Sequence, residues 1–295
     1  MSWRSDEDDR KLMTDDVRDG AQVTSVRPTK GATRYQLDGD PSHPLLLCIH
    51  GWTTSSYVWD RLREELIEKN YRLLTYDSYG RGFSDRPEGP QTAEFFLSQL
   101  DELLDNLGLS DERLNVIGYS MGGAIAAKFV SRHVERFDRL LLIAPAGMEV
   151  RNRILRKIVN RSPRLDDLYM RILLNKLPDH FRSEAKGFES VPEVQAVVRK
   201  QIGELEYQGY LPALLSSLRG IISDQMEQEH RAIARSNVAV RALFGKEDET
   251  IPHEQAKKLF NQWNTNSVSV SFDGVGHGMP YTHPDLVLRA VEDFL

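Results

Sequence analysis

From Leu45 onward the chain alternates between two hydrophobic patterns. Short runs such as Leu45-Leu46-Leu47-Cys48-Ile49, 71–76, 114–117, 139–144 and 238–244 are apolar at almost consecutive positions. A strand covered on both faces reads this way. Between them, residues 59–69, 95–107, 124–130, 253–263 and 285–295 carry apolar side chains at helical spacing and polar ones elsewhere. Those segments predict amphipathic helices, and residues 267–272 alternate as a last strand. Strands that alternate with helices predict an α/β fold, a mostly parallel central sheet with helices on both faces.

The pattern differs at two places. Residues 22–26 and 33–37 predict two strands joined through Pro28-Thr29-Lys30-Gly31 as a hairpin. From about Gly147 to Arg235 no strand-like run occurs, and the apolar positions fall at helical spacing between Pro163, Pro178, Pro192 and Pro212. The expected organisation is a core over residues 21–146 and 236–295, with a helical insertion over 147–235. Residues 1–20 hold Asp6, Glu7, Asp8, Asp9, Asp15, Asp16 and Asp19 among few apolar residues, which predicts a disordered acidic tail.

Composition narrows the function classes. A net charge of −6 over 295 residues gives no basis for nucleic-acid binding. The single cysteine, Cys48, lies in an apolar run, so no disulfide forms within the chain and a reducing compartment is expected. No apolar run approaches the roughly 20 residues that span a bilayer, and the N-terminus lacks the pattern of a secretory signal. The expectation is a cytoplasmic protein, monomer or homodimer. Within the insertion, Arg151, Arg153, Arg156, Lys157, Arg161 and Arg164 interleave with Ile154, Leu155, Ile158 and Val159. This predicts a helix with its apolar side over a pocket and leaves weak contact with an anionic membrane surface open.

The candidate chemistry centres on Gly118-Tyr119-Ser120-Met121-Gly122, which falls between a predicted strand and a predicted helix. Gly-x-Ser-x-Gly at such a junction holds a serine hydroxyl clear of the backbone. Taken alone the pattern is weak, since a chain of this length shows it by accident about one time in ten. A serine also needs a base to activate it and an acid to orient the base. After Ser120 the chain offers Asp248 beyond a buried strand and His277 beyond the last one, flanked by Gly276 and Gly278. Among the adjacent Glu247, Asp248 and Glu249, and the nearby Asp273, the acid reading falls on Asp248 in Gly-x-x-Asp-x-x-Ile-Pro. His50 precedes the serine and reads as structural, and Cys48 reads as a core residue. An oxyanion would be met by the backbone amides of Met121 and of Trp52, in the loop after the first buried strand. Gly51 and Tyr119 are the candidate substrate-binding positions.

Together these segments resemble the α/β-hydrolase fold superfamily. The resemblance rests on His50-Gly51-Trp52, residues 77–85, Gly118-Tyr119-Ser120-Met121-Gly122-Gly123, residues 245–252 and Gly276-His277. It implies Ser120 as nucleophile, Asp248 as acid, His277 as base, the Trp52 and Met121 amides as oxyanion hole, and the insertion as a helical cap. It implies no metal and no organic cofactor. Serine at position 120 sets aside the members that use an aspartate nucleophile, the dehalogenases and epoxide hydrolases. The Ser-Met-Gly-Gly form is similar to that of esterases, monoacylglycerol-lipase-like enzymes, carbon–carbon bond hydrolases and cofactor-free haloperoxidase-like members. The expected function is hydrolysis of a small-molecule carboxylic ester through an acyl-enzyme. A carbon–carbon hydrolase or amidase with the same triad, and a ligand receptor that keeps the fold without catalysis, are the alternatives.

Overall fold

The computed structural model describes residues 9–148 and 163–295. In chain order these form α1 (Asp15–Gly20), β1 (Ser25–Val26), β2 (Thr33–Asp38), β3 (Leu45–Ile49), α2 (Asp60–Glu68), β4 (Arg72–Tyr76) and α3 (Ala93–Asn106). There follow β5 (Leu114–Tyr119), α4 (Met121–Arg132) and β6 (Phe137–Ile143). After the insertion come β7 (Ala239–Gly245), α9 (His253–Trp263), β8 (Val268–Phe272), α10 (Met279–Thr282) and α11 (Pro284–Glu292). The strands make one sheet in the order β1-β2-β4-β3-β5-β6-β7-β8. The hairpin strands β1 and β2 pair antiparallel, β2 joins β4 antiparallel, and every later pairing is parallel.

The consecutive apolar positions are explained by burial on both faces. Along β3 all five residues are buried. Leu45, Leu47 and Ile49 point into one core, with Phe96, Leu100, Ile125 and Phe129 from α3 and α4. Leu46 and Cys48 point into the other, with Leu62 and Leu66 of α2 and Val287 and Val291 of α11. Alternate side chains leave a strand on opposite sides, so both sets must be apolar when helices cover both. The parallel register then lines up the strand ends. Ile49 sits beside Gly118, Tyr119 beside Ile143, Ile143 beside Leu243 and Gly245 beside Phe272. The loops after β3, β5, β7 and β8 therefore emerge at one edge, where ligands bind in such sheets.

Between β6 and β7 the described chain is helical: α5 (Pro163–Glu184), α6 (Pro192–Glu204), α7 (Tyr210–Arg219), a short 3-10 turn, and α8 (Glu227–Ile233). Met170, Leu177, Phe181, Val194, Tyr210 and Leu214 from this insertion share a core with Trp59, Tyr119 and Tyr281, so it packs on the functional edge of the sheet. The basic residues Arg151, Arg153, Arg156, Lys157 and Arg161, and the side chain of Arg164, lie outside the described residues. Among the described residues, no helix is long and apolar enough to cross a membrane.

The expectation of a disordered tail over residues 1–20 does not hold for residues 9–20. Thr14 caps α1, its hydroxyl accepting from the Val17 amide at 3.4 Å. Arg18 is 3% exposed. It donates to the Phe83 carbonyl at 2.7 Å and pairs with Asp15 at 2.8 Å, and it also pairs with Asp85. Upstream, the Lys11 amide donates to the Glu206 carbonyl and the Gln208 amide to the Lys11 carbonyl, each at 2.9 Å. The segment thus joins the insertion to the loop after β4. The acids Asp9, Asp15, Asp16 and Asp19 are exposed; it is the burial of Arg18 against Phe83 and Asp85, remote in sequence, that a local charge count cannot foresee.

Candidate active site

The serine turn is built by sterics. Ser120 has φ 53° and ψ −117°, a conformation that costs a non-glycine residue about 1–3 kcal/mol. It is held by its surroundings: the Ser120 amide donates to Ile143 at 2.9 Å, and its carbonyl accepts from Gly123 at 2.9 Å and Ala146 at 3.0 Å. The glycines are there because backbone passes close by. A β-carbon on Gly118 would lie 2.7 Å from the Gly122 carbonyl oxygen, and one on Gly122 would lie 2.1 Å from that of Ile49. The turn therefore sets Ser120 at the start of α4, whose first amides have no partner within the helix.

Asp248 and His277 reach Ser120 from two other loops. The Ser120 hydroxyl lies 3.0 Å from Nε2 of His277, and Nδ1 of the same ring lies 2.7 Å from Oδ2 of Asp248. The second Asp248 oxygen accepts from the amides of Thr250 at 2.8 Å and Ile251 at 2.7 Å, which fixes the carboxylate. Ser120, Asp248 and His277 are 6%, 8% and 6% exposed. Glu247 and Glu249 are exposed, as is Asp273. Glu247 instead accepts from the Val275 amide at 3.0 Å and so ties the two loops together, and Asp273 pairs with Lys246 at 2.6 Å. Of the four acids the sequence left near this site, Asp248 is the one that meets the imidazole.

Two of the remaining predicted positions, Gly51 and Tyr119, meet beside the imidazole, and Met121 follows Ser120 as the first residue of α4. Gly51 faces the Tyr119 ring, with a β-carbon there 3.0 Å from it. That ring packs against His277 with centroids 5.3 Å apart, and against Trp59 at 6.5 Å. Tyr119 is 2% exposed, so it backs the imidazole rather than opening to solvent. Trp52 is anchored through its indole nitrogen, which donates to the Leu214 carbonyl and the Ser217 hydroxyl at 3.0 Å each. His50 is structural: Nε2 accepts from the Ser78 amide at 2.8 Å and Nδ1 lies 2.8 Å from the Gly51 carbonyl. Burial drives its pKa down to about 4, so it stays neutral near pH 7.

Sequence reasoning missed the supports. Arg81 is fully buried. It donates to the Trp52 carbonyl at 3.1 Å, to the Tyr79 carbonyl at 3.0 Å, and to Gln91 and Ser217 at 2.5 and 2.6 Å. Tyr210 of α7 donates to the Thr53 carbonyl at 3.0 Å. Together they pin the loop after β3 to the insertion. The only hint in the sequence was the position of Arg81 between Gly80 and Gly82. Among the described residues no group of three or more His, Cys, Asp or Glu side chains could hold a metal ion. A cavity of about 370 Å³ bounded by Tyr57, Phe83, Glu204 and Tyr207 is lined by neither Ser120 nor His277.

The match to known proteins agrees with this architecture. Residues 44–284 fit the model of the alpha/beta hydrolase fold family, and the chain belongs to that family. It is 26% identical to 2-hydroxymuconate semialdehyde hydrolase of Pseudomonas sp. (strain CF600), over 88% of each chain. It is 22% identical to a bifunctional esterase/perhydrolase of Acinetobacter calcoaceticus, over 88% of this chain and 95% of that one. The crystal structure of the enol-lactonase from Burkholderia xenovorans LB400 superposes with a TM-score of 0.74 at 21% identity, covering 92% of this chain and 99% of that one.

Proposed function

We propose that the protein is a serine hydrolase of carboxylic esters that works through an acyl-enzyme. The observation that carries this is the unbroken relay of 3.0 and 2.7 Å from the Ser120 hydroxyl through His277 to Asp248. His277 takes the Ser120 proton as the hydroxyl attacks the acyl carbon, and Asp248 stabilises the imidazolium. The Trp52 and Met121 amides receive the oxyanion, each worth on the order of 10²–10³ in rate. His277 then protonates the leaving alcohol, and water, activated by the same imidazole, releases the acid. The helical insertion serves as a cap over this chemistry. A carbon–carbon bond hydrolase could use the same relay, and the likeness to 2-hydroxymuconate semialdehyde hydrolase favours that as the second reading.

The test is turnover of p-nitrophenyl acetate and butyrate by the full chain and by Ser120→Ala, with fluorophosphonate labelling of each. The expected result is turnover and labelling that vanish together in the variant. Equal rates in the two proteins would remove Ser120 from the mechanism.

A further inference from the structure

The insertion brings one charged group to this site that the proton relay does not use. Glu184 closes α5, and its side chain is 8% exposed. Oε2 accepts from the Tyr281 hydroxyl at 3.3 Å, and Oε1 lies 3.4 Å from Nε2 of His180, one turn back on the helix. Tyr281 is fully buried in α10, four residues beyond His277. The Tyr281 hydroxyl packs on Gly278, the neighbour of His277, 2.5 Å from where a β-carbon there would lie, and Glu184 interacts through space with His277, Asp248 and Tyr119. Burial by itself would raise the carboxyl pKa. The bond to His180 and the positive charge available on His277 outweigh it, against Asp248, and hold the pKa below its ordinary value. Among the described residues no lysine or arginine pairs with it.

An ionised carboxylate has roughly four acceptor positions. At Glu184 a tyrosine hydroxyl and an imidazole are the partners, and water has little access. A ligand that brings a hydrogen-bond donor would complete its shell, whereas a ligand carboxylate would be repelled by both Glu184 and Asp248 at short range. We propose that Glu184 is a specificity-determining residue of the Ser120 site, one that receives a hydroxyl or ammonium group of the substrate and rejects esters whose acyl chain carries a carboxylate. The inference rests on the reading of Ser120 as an ester-cleaving nucleophile. A proton on His180, favoured by its bond to Glu184, would cancel the local charge. Glu184 touches Tyr281 and His180, and it interacts through space with His277, Asp248, Tyr119 and Tyr210, as His180 does with Glu249. The assay is therefore repeated at rising pH, where loss of the His180 proton should enlarge the effect.

Three p-nitrophenyl esters of matched chain length separate the possibilities: heptanoate, 6-aminohexanoate and the adipate monoester. We expect the full chain to favour the ammonium ester over the carboxylate ester in kcat/KM by about tenfold or more, the size of a charge contact in a partly buried site. In Glu184→Gln, which keeps the shape and an acceptor for Tyr281, that ratio should fall by about tenfold. A uniform loss from altered packing cancels in the ratio, so a merely structural role would leave it unchanged. A full chain that cleaves the carboxylate ester as fast as the ammonium ester overturns the proposal with no variant needed, and so does an unchanged ratio in Glu184→Gln. Ser120→Ala separates the two layers. Loss of all three activities there leaves the serine reading standing whatever Glu184 does. Persistent turnover there, or a full chain inert to all three esters, removes that reading and this inference with it.

Discussion

Two buried histidines stand at the same edge of this sheet, and burial does not distinguish them. His50 follows β3 and His277 follows the β8 loop, at 0% and 6% exposure. Both ring nitrogens of His50 meet backbone, at Ser78 and Gly51. Both ring nitrogens of His277 meet side chains, the hydroxyl of Ser120 and the carboxylate of Asp248. A ring clamped between main-chain groups joins two loops and cannot pass a proton without parting them. A ring between a hydroxyl and a fixed carboxylate is placed to accept a proton and hand it on. The nature of the partner, rather than depth, separates a strut from a ring able to serve as the base of the proposed mechanism.

The comparison yields graded expectations. The largest belong to the relay. Ser120→Ala and His277→Ala should each lower ester turnover by roughly 10⁴–10⁶, and Asp248→Asn by about 10⁴, with circular dichroism unchanged. His50→Asn should cost far less activity, about tenfold through disturbed loops, and its main effect should be on folding. If it abolished turnover as fully as His277→Ala with the fold intact, the division between the two histidines would be wrong.

The next effect is on pH-dependent stability. The pKa of His50 falls from 6.5 to about 4 on folding because of burial, and that of His230 does the same. A depressed histidine binds its proton more tightly in the unfolded chain. Its contribution is complete above pH 6.5 and is lost as the pH falls toward 4. The stability gap between the protein and His50→Asn should therefore shrink over that window by on the order of 3 kcal/mol, read from urea midpoints at several pH values. A constant gap would mean that His50 is already charged in the folded state. His230→Asn provides the same comparison far from the site, where the ring stacks on Trp263 at 6.1 Å. The smallest effect belongs to the N-terminal segment. Arg18→Ala should cost about 1–3 kcal/mol, seen as a shifted midpoint with an unaltered denaturant slope and little change in kcat.

Much of the site was legible because its parts obey local rules. The strained turn at Ser120 needs small neighbours, and Gly118 and Gly122 announce it. Strand ends follow from apolar runs, so the positions of Asp248 and His277 after β7 and β8 could be ordered along the chain before any contact was known. The supports were not legible. Arg81 reaches Ser217, 136 residues away, and Tyr281 reaches Glu184 across 97. The tail was misread for the same reason, since Arg18 finds Asp85 across 67 residues. Charged side chains carry no periodic signature of the partner they will meet, and nothing near Arg18 in sequence marks it as buried.

The sequence by itself determined the alternation of strand and helix, the serine turn and the order in which Ser120, Asp248 and His277 follow their strands. Those depend on backbone sterics and on which side chains repeat at a fixed spacing, which are properties of neighbours along the chain. Only the tertiary structure decided that Arg81 and Tyr210 pin the loop after β3, that Glu184 meets Tyr281, and that residues 9–20 pair with the insertion and the loop after β4. Those outcomes depend on burial and pairing between distant segments, and such energies exist only once the sheet has brought the segments together.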